Sequence, residues 1–69
     1  MGPTVSLVTT ITSRSTKSFD DAVSGGIARA SSTLRNVSGA WVKEQKVDVT
    51  NGKVSTWQVT LEITFVLDD

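Results

Sequence analysis

The sequence contains no cysteine and no histidine, so neither a disulfide nor the usual structural or catalytic zinc site can brace the fold. It has one proline, no tyrosine, and no apolar run near the roughly 20 residues a bilayer-spanning helix needs. A secretory leader would show a basic segment followed by an apolar stretch; the N-terminus has neither, and the expectation is a soluble, cytoplasmic protein with no membrane partner. An excess of one charge is also missing. Seven Lys+Arg balance seven Asp+Glu, which removes the electrostatic footprint of a nucleic-acid binder. Without histidine there is no Ser-His arrangement, and neighbouring acids such as Asp20 and Asp21 diverge by about 100° around a helix. The expectation is therefore a protein that is not an enzyme, with no catalytic residue. Two short patterns are discounted. Met1-Gly2-Pro3-Thr4-Val5-Ser6 fits an acylation signal only loosely, and Asn36-Val37-Ser38 is a glycosylation sequon that matters only in a secreted chain.

What is present is one small domain, residues 1–69. A chain this short buries only about 60% of the surface its unfolded form exposes, while ordering costs roughly 1.5 kcal/mol per residue. With disulfides and zinc excluded, association with further copies of itself is the remaining brace.

From Thr4 to Thr12, Val5, Leu7, Thr9 and Ile11 alternate with Ser6, Val8, Thr10 and Thr12, the period-two pattern of a strand. Ser13 to Lys17 is read as a polar connector. Ser18, followed three residues later by Asp21, resembles a capping box and predicts a helix starting at Phe19. Phe19, Ala22, Val23, Gly26, Ile27, Ala30 and Leu34 recur at helical spacing and form one continuous stripe. Gly25 and Gly26 sit in the middle of that helix, where glycine is unfavourable, and imply close packing on a sheet. Asn36 and Gly39 are read as the helix exit. Asn51-Gly52 between two β-rich runs, Ala40 to Thr50 and Lys53 to Leu67, predicts a long hairpin with a type I′ turn. The fold class is α+β, a β-α-β-β chain whose three-stranded antiparallel sheet wraps one helix.

An uninterrupted hairpin register pairs Val49 with Val54, Val47 with Thr56, Gln45 with Gln58, Lys43 with Thr60 and Trp41 with Glu62. Trp57, Val59, Leu61, Ile63, Phe65 and Leu67, with Ala40 and Val42, then cover the helix, while Trp41, Lys43, Gln45, Gln58 and Thr60 share the opposite face. An indole beside amides that both donate and accept hydrogen bonds suits a planar heteroaromatic ligand. Trp41 also reads as an anchor in a contact between subunits. Asp48, Glu44 and Glu62 are candidate cation ligands contributed by several subunits, although no calcium loop is present and no metal residue is assigned.

Ser18-Phe19-Asp20-Asp21-Ala22, Gly26-Ile27-Ala28-Arg29-Ala30, Thr33-Leu34-Arg35-Asn36, Gly52-Lys53-Val54, Gln58-Val59-Thr60-Leu61 and Phe65-Val66-Leu67, in this order and spacing, resemble the dodecins. The resemblance implies a hollow homododecamer, helices outside and sheets lining the interior, that stores or buffers a small molecule. Its usual ligand is flavin, riboflavin or FMN, stacked on a tryptophan at the start of the second strand and hydrogen-bonded by a glutamine of the third. The glutamine corresponds to Gln58. The stacking position corresponds to Gly39, and this sequence reads Gly39-Ala40-Trp41, with its tryptophan two residues later. The resemblance is thus to the type lacking the usual stacking tryptophan. The candidate binding residues are Trp41 for stacking, Gln58 for the ring edge and Gln45 as its neighbour. The alternative implied by the family is a flavin-free shell with a structural, calcium-binding or coenzyme A-binding role.

Overall fold

The computed structural model describes residues 2–68. The element order is β1 (Ser6–Ser15), α1 (Phe19–Thr33), β2 (Val37–Thr50) and β3 (Lys53–Val66). The sheet is antiparallel with β3 in the centre, in the order β1-β3-β2.

The helix begins where the capping signal placed it, with the Asp21 amide donating to Ser18 Oγ at 3.0 Å. The return half of the expected capping box is replaced. Asp21 Oδ2 accepts from Ser15 Oγ at 2.6 Å, and that same Oγ accepts from the Lys17 and Ser18 amides at 2.8 and 3.3 Å. Ser15 is a buried polar residue, and its hydroxyl is the knot tying the end of β1 to the first helical turn. Removing it strands one acceptor and two donors at a partly buried site. The variant Ser15→Ala is expected to lose about 1–3 kcal/mol, read as a lower Tm at fixed protein concentration.

β1 runs to Ser15 rather than ending near Thr12, because β3 is long enough to supply partners: Ser13 meets Val59, Arg14 meets Gln58 and Ser15 meets Trp57. At the other end of α1 the Leu34 amide closes the last turn on Ala30 O at 2.8 Å. Asn36 takes the positive φ of 61° that reverses the chain, and its Nδ2 donates to Val66 O and Asp68 Oδ1 at 3.2 and 2.7 Å. Gly39 has no part in this exit. It lies inside β2, which starts at Val37. The hairpin turn is as expected, with φ of 52° at Asn51 and 76° at Gly52, the left-handed pair that a type I′ turn requires.

The helical stripe is buried or half-buried along its length, and it lies on Val59, Leu61 and Ile63 of the central strand, all 0% exposed. Gly26 is the close approach: a Cβ there would sit 3.0 Å from both Leu61 Cδ1 and Ser13 Cβ, whereas one on Gly25 would meet nothing within 4 Å. Only one of the two glycines is explained by packing. Ala40, Val42 and Leu67, expected to cover the helix, are exposed, because α1 lies mainly over β1 and β3. The molecule is 56 × 19 × 13 Å, and its hairpin runs beyond the end of β1 as a two-stranded arm. Its accessible surface of 5079 Å² exceeds the about 4,200 Å² typical of a folded monomer of this mass, as an elongated subunit with an uncovered sheet face should. No helix among the described residues is long and apolar enough to cross a membrane.

Candidate functional site

The sheet face turned away from the helix carries the even-numbered residues of β3 from Thr56 to Thr64. Three rows cross it. Thr10, Glu62 and Trp41 form one; Thr12, Thr60 and Glu44 the next; Arg14, Gln58 and Lys46 the third. Trp41 is 75% exposed, the most open large hydrophobic residue described, and its pairing with Glu62 is as the hairpin pattern predicts. Lys43 Nζ approaches Glu62 Oε1 at 3.9 Å.

Between Val42 and Glu44 the register slips by one, with Lys43 as the extra residue. One inserted residue exchanges the faces of everything after it until a second irregularity compensates. That compensation comes between Asp48 and Val49, where Ser55 is the extra residue on β3. Gln45 therefore stands opposite Val59, not opposite Gln58, and Lys46 takes the place beside Gln58. The amide pair expected on the open face does not form. Gln45 still borders a depression of about 70 Å³ with Glu44, Lys46, Gln58 and Thr60. Ligand sites run to about 300–1,000 Å³, so this depression by itself does not enclose a tricyclic ring. Trp41 and Gln58 share the face but stand four β3 positions apart, about 13 Å along the strand.

Two charged residues missing from the expected site lie in this third row. Arg14 Nε donates to Gln58 Oε1 at 2.7 Å, and Lys46 Nζ lies 3.8 Å from Asp48 Oδ1. Arg14 was hidden by the polar run Ser13 to Lys17, although Thr10, Thr12 and Arg14 continue the alternation of β1. The Thr56 hydroxyl donates to Asp48 Oδ2 at 2.6 Å and, with Lys46 and Arg14 nearby, holds the Asp48 carboxyl below the usual carboxylate range. A depressed folded-state pKa stabilises above the unfolded value and is lost as pH falls through the folded one. The carboxyl carbon of Asp48 should titrate, by NMR, below the ordinary range of an aspartate, and Thr56→Val should move its midpoint upward. Among the described residues no three acids stand close enough together to hold a metal.

A small β-α-β-β unit, its helix packed on one sheet face and a tryptophan-bearing face left open, defines a class of subunit built to be completed by its neighbours. The dodecin family model matches residues 5–68, and the chain belongs to the dodecin family. It is similar to the dodecin of Streptomyces coelicolor, at 32% identity over 100% of this chain and 99% of that one, with a TM-score of 0.91. The dodecin of Streptomyces davaonensis is 35% identical over 99% and 100% of the two chains, again with a TM-score of 0.91. The calcium dodecin of Mycobacterium tuberculosis, described as a calcium-chelating antigen with a novel calcium-binding site, is 29% identical over 93% and 91%, with a TM-score of 0.79. No curated protein matches by sequence.

Proposed function

We propose that the chain is a non-catalytic subunit of a homododecameric shell that binds and buffers a flat heteroaromatic cofactor of the flavin type, riboflavin or FMN. The observation carrying this reading is Trp41, an indole 75% exposed on a sheet face that nothing among the described residues covers. An open aromatic face of that size offers stacking area to a planar ring, while the third row supplies hydrogen bonds through Gln58. Since Trp41 on β2 and Gln58 on β3 stand about 13 Å apart along the strand direction, the binding site combines the tryptophan of one copy with the glutamine of another. Gln45 serves as a polar wall of the depression beside Gln58.

Titrating riboflavin or FMN with purified protein, with particle mass recorded in the same buffer, tests the reading. Saturable quenching of flavin fluorescence by a twelve-subunit particle supports it. A particle of that mass without quenching favours the second reading, a flavin-free shell that holds calcium or coenzyme A or is purely structural. That second reading draws on Gly39 at the usual stacking position and on the similarity to the calcium dodecin.

A further inference from the structure

Arg14 and Gln58 are direct neighbours across β1 and β3, joined by the 2.7 Å bond from Nε to Oε1. A guanidinium carries donors and no acceptor, so the only atom of a glutamine amide it can engage is the carbonyl oxygen. The charge on the donor makes this bond shorter and stronger than one between neutral groups. It draws Oε1 toward β1 and leaves the amide protons as the end turned to a ligand. On the other side of Gln58 stands Lys46, a second group that only donates. Reading across the sheet, Arg14, Gln58 and Lys46 therefore present donors. Of the carboxylates flanking the row, Asp48 is already engaged by Thr56 and Lys46, and Glu44 lies one row away, opposite Thr60, at the edge of the same depression.

We infer that Arg14 is a specificity-determining residue of the binding face: by drawing the Gln58 carbonyl toward β1 it turns the amide N–H end of this row to the ligand, favouring planar heteroaromatics whose facing edge accepts hydrogen bonds. Carbonyl oxygens, unprotonated ring nitrogens and ionised imides fit such a row, and a ring N–H that must donate to Gln58 has to compete with Arg14 for its oxygen. The inference rests on the heteroaromatic-binding reading above and identifies which ring edge that face takes.

The test compares riboflavin with its N3-methyl derivative, which keeps both ring carbonyls and cannot donate at N3. The wild-type particle is expected to bind the two with similar affinity. In Arg14→Met the Gln58 amide is free to turn its oxygen to the ligand. The variant should then prefer riboflavin over the methylated ring by about tenfold, the worth of one hydrogen bond. Arg14→Lys, which retains a cationic donor, should restore the wild-type ratio. A purely structural role for Arg14 would weaken both ligands alike and leave the ratio unchanged, which overturns the inference. Wild-type protein that rejects the methylated ring tenfold overturns it without any variant. An intact particle binding neither ring retires the flavin reading and this inference together.

Discussion

Trp41→Ala is expected to weaken flavin binding while leaving the particle at its wild-type mass. Stacking of a flat heterocycle on an aromatic side chain is worth about 1–3 kcal/mol by alanine substitution, which corresponds to a loss of roughly fivefold to more than a hundredfold in affinity. Quenching should fall in step, because the indole in contact with the ring is the quencher. Trp41→Phe should retain part of both. The assembly is expected to survive because Trp41 lies 75% exposed and takes no part in the subunit core, which consists of Ala22, Ala30, Val59, Leu61 and Ile63. The measurement is a paired one, fluorescence titration and particle mass on the same sample. A variant that falls apart into smaller species would instead make Trp41 an anchor between subunits, and the flavin-free reading would follow.

The second large effect concerns the paired glycines of α1. Gly26→Val is expected to destabilise the protein strongly, while Gly25→Ala, one residue earlier, should stabilise it. At Gly26 even the first carbon of a side chain would meet Leu61 Cδ1 and Ser13 Cβ at 3.0 Å. The leucine methyl is the far end of a flexible side chain. Ser13 Cβ is fixed to the backbone of β1, so the helix itself must move away from the sheet. Overpacking of this kind costs typically about 1–3 kcal/mol, and the two further carbons of valine place the change at the upper end or beyond. Gly25 meets nothing, so alanine there should gain about 1 kcal/mol of helix propensity. Thermal unfolding of both variants at one protein concentration reads the contrast, since the melting of an oligomer shifts with concentration. Equal losses at the two positions would contradict the packing account.

The two glycines also mark how far the sequence could be read. That a glycine pair in the middle of a helical stripe signals close packing follows from helix propensity, but which of the two touches the sheet depends on how α1 is rotated on β3. The hairpin divides in the same way. Asn51-Gly52 located the turn, and pairing counted outward from it is right at Val49 with Val54 and again at Trp41 with Glu62. Between these it is wrong, because Lys43 and Ser55 are each inserted without a partner. A pattern of period two contains no mark for a residue that drops out of the ladder, and the two slips cancel. Counting from the turn therefore puts Gln45 on the open face and leaves Lys46 out of the row it occupies.

From its residues alone this chain determined its element order, the buried stripe of its helix, the left-handed turn and the exposure of Trp41 on the face away from the helix. Each rests on chemistry local to a few neighbouring residues: a capping hydroxyl, a 3.6-residue period, an Asn-Gly pair, the alternation of a strand. Tertiary structure decided the length of β1, the slips of the hairpin register and the neighbours of Gln58. Polar residues such as Ser13 and Arg14 become strand only because β3 is there to pair with them, and a bulge relieves the strain of a sheet coiling around a helix. The β1–β3 pairs at that end join residues more than forty positions apart, and no local pattern marks either them or the residues that bulge from the hairpin.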